Sequence, residues 1–117
     1  MIHHTVLLLE DEEELRETMR EALELNGYAV IAAQDGQAAL DELDRIDHVC
    51  MVLLDLVMPR MNGWDFLIQM RKRQKLADVP VIVHSSSPSQ APKGVTRVLR
   101  QPLELERLLS VVREYCA

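Results

Sequence analysis

Several residues able to do chemistry stand where short apolar runs end. Glu10 and Asp11 follow the run 6–9, and Asp55 follows the run 49–54. Ser85 lies behind His84 after the run 81–83, and Gln101 lies behind Arg100 after Val98-Leu99. If these runs are parallel strands of one open sheet, their polar ends share the carboxyl edge, where such sheets bind ligands. Three carboxylates drawn together repel one another and call for a counter-charge. A hard divalent cation such as Mg²⁺ supplies it through oxygen ligands, with one or two direct carboxylates. The same ion can clamp phosphoryl oxygens. A neighbouring carboxylate, Asp55 above all, can then be a nucleophile and carry an aspartyl-phosphate. A plainer reading stays open for the acidic pair. Glu10 and Asp11 could simply open an acid-rich first helical turn, with Glu12, Glu13 and Glu14, where acids complement the helix dipole.

Positioning these residues takes alternating strands and helices. The apolar runs 6–9, 29–33, 49–54, 81–83 and 98–99 are separated by stretches of helical spacing. Leu15, Met19, Ala22 and Leu23 make the first stripe, stopped by Asn26-Gly27. Ala39, Leu40, Leu43 and Ile46 follow Asp35-Gly36; Leu67 and Met70 follow Asn62-Gly63; Leu105, Leu108, Leu109 and Val112 make the last. Continuous apolar runs fit strands buried on both faces. Their alternation with helices predicts an α/β fold, an open parallel five-stranded sheet with helices on both faces and right-handed crossovers. The stretch 85–94, SSSPSQAPKG, breaks the pattern with Pro88, Pro92 and no apolar period. It reads as a loop or at most a turn of helix. Since a parallel crossover usually takes about a dozen residues or more, the fourth helix is expected to be short or missing.

A length of 117 residues predicts one domain, 1–117. The formal charge of −6 argues against direct nucleic-acid or anionic-membrane binding. The longest apolar runs are six residues, far short of the roughly 20 of a membrane helix. The first residues do not read as a signal peptide. Cys50 and Cys116 make no disulfide framework; Cys50 reads as a buried small hydrophobe and Cys116 as a thiol of no consequence. A reducing cytoplasm is the expected location.

In these motifs the chain resembles the receiver domain of two-component response regulators, over essentially its whole length. Glu10-Asp11 fits the acidic pair of that family. Asp55-Leu56-Val57-Met58-Pro59, with Asn62-Gly63 after it, fits the phosphoacceptor signature; Pro80-Val81-Ile82-Val83-His84-Ser85 puts Ser85 at the Ser/Thr position; Gln101-Pro102 falls where the family has Lys-Pro. The resemblance implies a flavodoxin-like fold and a phosphorelay role. Asp55 would accept a phosphoryl group from a histidine kinase or phosphotransfer protein. Asp11, Asp55 and the backbone carbonyl of Val57 would bind Mg²⁺ directly, with Glu10 acting through a water. Ser85 would hydrogen-bond the phosphoryl group. An unknown downstream protein would be the output partner, and the chain would be a monomer or weak dimer and not an enzyme.

Three departures from the family pattern bear on output. Gln101 replaces the lysine, offering neutral donors on a shorter stem. Arg100, the nearest cation, is expected on the opposite strand face. Val98 stands at the aromatic switch position and has no ring to swing. The spacing from Ser85 to Gln101 is shorter than usual by more than a helical turn. The expected function is therefore an atypical single-domain response regulator, phosphorylated on Asp55 with Mg²⁺. The alternative is a pseudo-receiver, an interaction module that works regardless of phosphorylation. A haloacid-dehalogenase-like phosphatase would want a second aspartate two residues after the nucleophile, where Val57 stands, and is set aside.

Other residues have bland readings. His84 reads as a satisfied core or edge histidine, and His3 and His4 as solvated. Met19 and Met70 read as core, and Trp64 as packing or lying near the site mouth. Arg71, Lys72, Arg73 and Lys75 read as a solvated face complementing a helix dipole.

Overall fold

A computed structural model of the chain describes residues 4–46, 48–55, 63–85 and 94–116, with the side chain of Lys75 also left out. Five strands form one parallel sheet: β1 (Thr5–Leu9), β2 (Ala29–Ala33), β3 (Met51–Asp55), β4 (Val81–Ser85) and β5 (Arg97–Arg100). Their spatial order is β2-β1-β3-β4-β5, the flavodoxin-like doubly wound order. The inner strands β1, β3 and β4 are almost wholly buried, whereas the edge strands β2 and β5 are only partly so. The continuous apolar runs thus fit the centre of the sheet best.

Four α-helices cover the two faces: α1 (Glu13–Leu25), α2 (Gly36–Leu43), α3 (Gly63–Arg71) and α4 (Leu105–Tyr115). Alternation along the strands sorts the core into two layers. Leu7, Leu9, Val52, Leu54, Val81 and Val83 face α2 and α3, meeting Leu40, Leu43, Phe66 and Met70. Val6, Leu8, Met51, Leu53 and Ile82 face α1 and α4, meeting Met19, Leu23, Leu108 and Val112. Met19 and Met70 are core residues as expected, and Trp64 is half-buried against the α2–α3 layer. The last helix is turned slightly from its expected stripe: Val111 is buried, while Leu105 is 41% exposed. His4 is half-buried rather than solvated and meets the Tyr28 ring edge-on.

Local signals start and stop these helices. Asp35 caps α2 by accepting the Ala38 N–H at 2.8 Å. After α1, Gly27 adopts φ +90°, and the Tyr28 N–H returns to the Leu23 carbonyl at 3.1 Å. A side chain at that left-handed position would be strained. Among the described residues no helix lies between β4 and β5; residues 86–93, on which the expectation of an irregular segment falls, lie outside them. None of the described helices is long and apolar enough to cross a membrane.

Two readings of the sequence need correction. Cys50 and Cys116, taken as unpaired, are joined in a disulfide across 66 positions. It is Cys116 that is buried, and Cys50 only half so. The cause is topological: α4 leaves the carboxyl edge after β5, crosses the sheet and ends at the amino edge, beside the entry to β3. The bond removes the argument that placed the chain in a reducing compartment. The basic run 71–75 is also not merely a solvated face. Arg71 Nη1 donates to the carbonyls of Leu76, Ala77 and Val79 at 3.0, 2.9 and 3.0 Å. Arg73 grips Asp44 through Nε at 2.8 Å and Nη2 at 3.2 Å, tying the end of α3 to the end of α2.

Candidate functional site

The three acids arrive at one place because their strands are neighbours in register. Leu9 pairs with Leu54, so Glu10 stands level with Asp55, and Asp55 pairs with His84. Level positions on parallel strands share a face, which puts Glu10, Asp55 and His84 in one row on the α1–α4 side. Carboxylate oxygens of Glu10, Asp11 and Asp55 all lie within 4.8 Å of one another. They line a cavity of about 600 Å³ with Glu12, Leu15, His84, Gln101, Pro102 and Leu103.

The loop carrying the acidic pair is tied down on both sides. The Glu10 N–H donates to the Ala33 carbonyl at 3.1 Å. Glu10 Oε2 accepts the Glu12 N–H at 3.0 Å, just ahead of α1. Arg16, one turn into α1, donates from Nη1 to the Glu10 carbonyl at 2.9 Å. Arg16 is a residue the sequence reading passed over, since nothing in its local context marks it as reaching back to the strand end. Glu13 and Glu14 fill the first turn of α1, where acids complement the dipole, whereas Glu12, its N-cap, makes no side-chain cap bond and lines the cavity, and Glu10 is buried in the cavity wall.

Among the described residues that line the cavity there is no lysine or arginine. Burial raises the Glu10 carboxyl from 4.5 to about 7; the charges of Asp55 and Asp11 push the same way, against the bond from the Glu12 N–H. Burial lowers His84 from 6.5 to about 4. The two groups face each other with His84 Nε2 3.4 Å from Glu10 Oε1, but His84 is neutral at pH 7, so this is not an ion pair. Glu10 Oε1 is buried without a hydrogen-bond partner. A partnerless buried oxygen and three converging carboxylates fit a hard divalent cation with oxygen ligands.

The remaining predicted residues fall as follows. Gln101 reaches the cavity, and its side chain donates from Nε2 to His84 Nδ1 at 2.8 Å. Its backbone N–H donates to the Ser85 carbonyl at 3.0 Å. Ser85 ends β4, buried, but is not among the residues lining the cavity. Val98 is half-buried against the α2–α3 layer, and Arg100 is exposed. Val57 lies outside the described residues. His84 is wholly buried, but its Nε2 has no hydrogen-bond partner, so it is not the satisfied core histidine expected, and it lines the site. Its place just before Ser85 was the available signal; that it stands level with Asp55 is set by strand register.

The profile of the response regulator receiver domain matches residues 6–113. Response regulator MprA of Mycolicibacterium vanbaalenii is 35% identical over 114 residues, covering 92% of this chain and 48% of its own length. The chain thus spans about half the length of the curated relatives it matches. Among solved structures, the chemotaxis protein CheY4 of Vibrio cholerae superposes with a TM-score of 0.86 at 24% identity, over 97% of this chain and 98% of its own. The receiver domain of sensor histidine kinase PA1611 from Pseudomonas aeruginosa, with a magnesium ion coordinated in its active site cleft, gives 0.87 at 21% identity, over 97% and 98%. By its sequence, the chain belongs to the response regulator receiver domain family.

Proposed function

We propose that residues 1–117 form an atypical receiver domain that accepts a phosphoryl group on Asp55 from a histidine kinase or phosphotransfer protein. The observation that carries this reading is the cluster of Glu10, Asp11 and Asp55 oxygens within 4.8 Å, with Asp55 at the end of the central strand β3. One Asp55 carboxylate oxygen would attack phosphorus in line as the P–N bond of the donor phosphohistidine breaks. The donor imidazole leaves with that electron pair and takes up a proton. Such transfer is mostly positioning and charge stabilisation. Asp11 and Asp55, with Glu10 beside them and the Val57 carbonyl implied by the family motif, would hold Mg²⁺, which when bound offsets the negative charge of acids and phosphoryl oxygens. Arg16 holds the acidic loop in place through its carbonyl contact. Ser85 would hydrogen-bond the incoming phosphoryl group. The domain is read as a signalling module rather than an enzyme, a monomer or weak dimer passing its state to a downstream protein, without direct nucleic-acid or membrane binding. A cytoplasmic location belongs to this reading and rests on the family alone.

Incubation with acetyl phosphate and Mg²⁺, followed by intact mass, should add one phosphoryl group to the wild type and none to Asp55→Asn. Asp11→Ala should lose most Mg²⁺ affinity, since it removes a ligand and a charge. Full phosphorylation of Asp55→Asn, or undiminished Mg²⁺ affinity in Asp11→Ala, would refute the assignment. One observation favours the pseudo-receiver instead: Gln101, at the lysine position, is engaged with His84. A wild type that gains no phosphoryl mass yet binds its partner would decide for that alternative.

A further inference from the structure

We infer that buried His84 and half-buried Gln101 form a strut that positions the Glu10 carboxylate, so that Gln101 serves as a support for the acid cluster and not as a neutral stand-in for the lysine. This inference deepens the proposed metal and phosphoryl site and rests on that reading for its purpose.

The geometry runs in one line across the sheet. Leu99 on β5 pairs with His84 on β4, and Gln101, two residues further on, returns to the same face. Its amide N–H can only donate, so the bond from Nε2 to His84 Nδ1 at 2.8 Å makes Nδ1 the acceptor. A neutral imidazole then carries its proton on Nε2. That nitrogen faces Glu10 Oε1 at 3.4 Å, a few tenths of an ångström beyond an ordinary N–H···O bond, and both atoms are buried without a hydrogen-bond partner. The other Glu10 oxygen, Oε2, is held by the Glu12 N–H. His84 and Glu10 are 0% and 2% exposed. The carboxylate is thus set between a backbone donor on one side and a ring fixed by Gln101 on the other.

Outer partners of this kind orient a ligand and commonly change metal affinity about 10–100-fold when removed. A glutamine committed to His84 brings no positive charge to the cavity. The departure at Gln101 and the histidine before Ser85 then make sense as one device: the amide fixes the ring and the ring fixes the acid.

The test uses the whole chain and two readouts. Long-range ¹⁵N–¹H spectra of the metal-free wild type should show the His84 proton on Nε2, and Gln101→Met should mix the two tautomers. Calorimetric titration with Mg²⁺ should show His84→Leu and Gln101→Met each about tenfold weaker than wild type. The double variant should lose little more than either alone. His84→Gln, which keeps a donor near the Nε2 position, should recover most of the affinity. A proton on Nδ1 in the wild type, a wild type that binds no Mg²⁺, or unchanged Mg²⁺ affinity in folded Gln101→Met would overturn the inference. Should the tautomer and the affinity losses come out as stated while Asp55 gains no phosphoryl mass, the strut stands and the phosphoacceptor reading fails.

Discussion

Cys50, at the entry to β3, is bonded to Cys116, at the end of α4, with their Cα atoms 5.4 Å apart. The bond closes the chain from the middle of the sheet to its last helix, and so encloses β3, β4, β5 and the candidate phosphoacceptor. Cross-links over loops of this length constrain the unfolded chain by up to about 4 kcal/mol in the chain-entropy account. Urea unfolding should therefore show the oxidised wild type more stable than the reduced protein or Cys50→Ala by about 2–4 kcal/mol. Coincident unfolding curves with and without reductant would show that the cross-link does not constrain the chain.

The metal-free acid site should leave a signature in stability against pH. Glu10 is raised in the folded chain from 4.5 to about 7. Between those values the folded chain holds more protons than the unfolded one, so this group's contribution is full below 4.5 and is lost as pH rises through 7. His84 works in the opposite direction. Its fall from 6.5 to about 4 makes a contribution present above 6.5 and lost as pH drops towards 4. Unfolding in chelator should therefore show Glu10→Gln gaining on wild type from pH 5 to pH 8. A difference between the two that does not vary with pH would contradict the raised value.

Arg71 tests whether the basic run is structural. Its guanidinium serves three carbonyls of the turn between α3 and β4, and hydrogen bonds from a charged donor are worth about 1.5–3 kcal/mol when shielded. Partial exposure of this site reduces that, so Arg71→Ala should cost about 1–2 kcal/mol. The exposed neighbour Lys72, changed to alanine, should cost close to nothing. Equal costs for the two would return the run to a plain solvated face.

Output coupling should be weak. Val98 lacks a ring to rotate, and Gln101 is occupied by His84. A beryllofluoride mimic on Asp55 with Mg²⁺ should shift amide resonances around the acid cluster and leave most of β5 and α4 in place. Large shifts throughout β5 and α4 would reveal a working switch of another design. At saturating Mg²⁺, which offsets the loss of the Gln101–His84 bond, Gln101→Lys should place a cation near the phosphoryl site, speeding phosphorylation without restoring the switch.

Much of this molecule could be read along the chain. Strand positions followed from unbroken apolar runs, since a strand buried on both faces has no polar alternation to show, and Asn26-Gly27 and Asp35 marked helix ends by backbone and capping chemistry. The acids were recognisable because the pair Glu10-Asp11 and Asp55 each follow such a run, and a parallel sheet brings all strand ends of one polarity to one edge. What the sequence left open depends on distances that sequence separation does not encode. The Cys50–Cys116 bond required α4 to run back across the sheet to the amino edge. Arg71 and Arg73 looked like any basic helix end until the turn and α2 came within their reach. His84 and Gln101 looked like two unrelated polar residues. Only strand register, by setting His84 level with Asp55 and Leu99 and carrying Gln101 back to the same face, turned them into partners, since a one-residue slip would have pointed either side chain to the other side of the sheet.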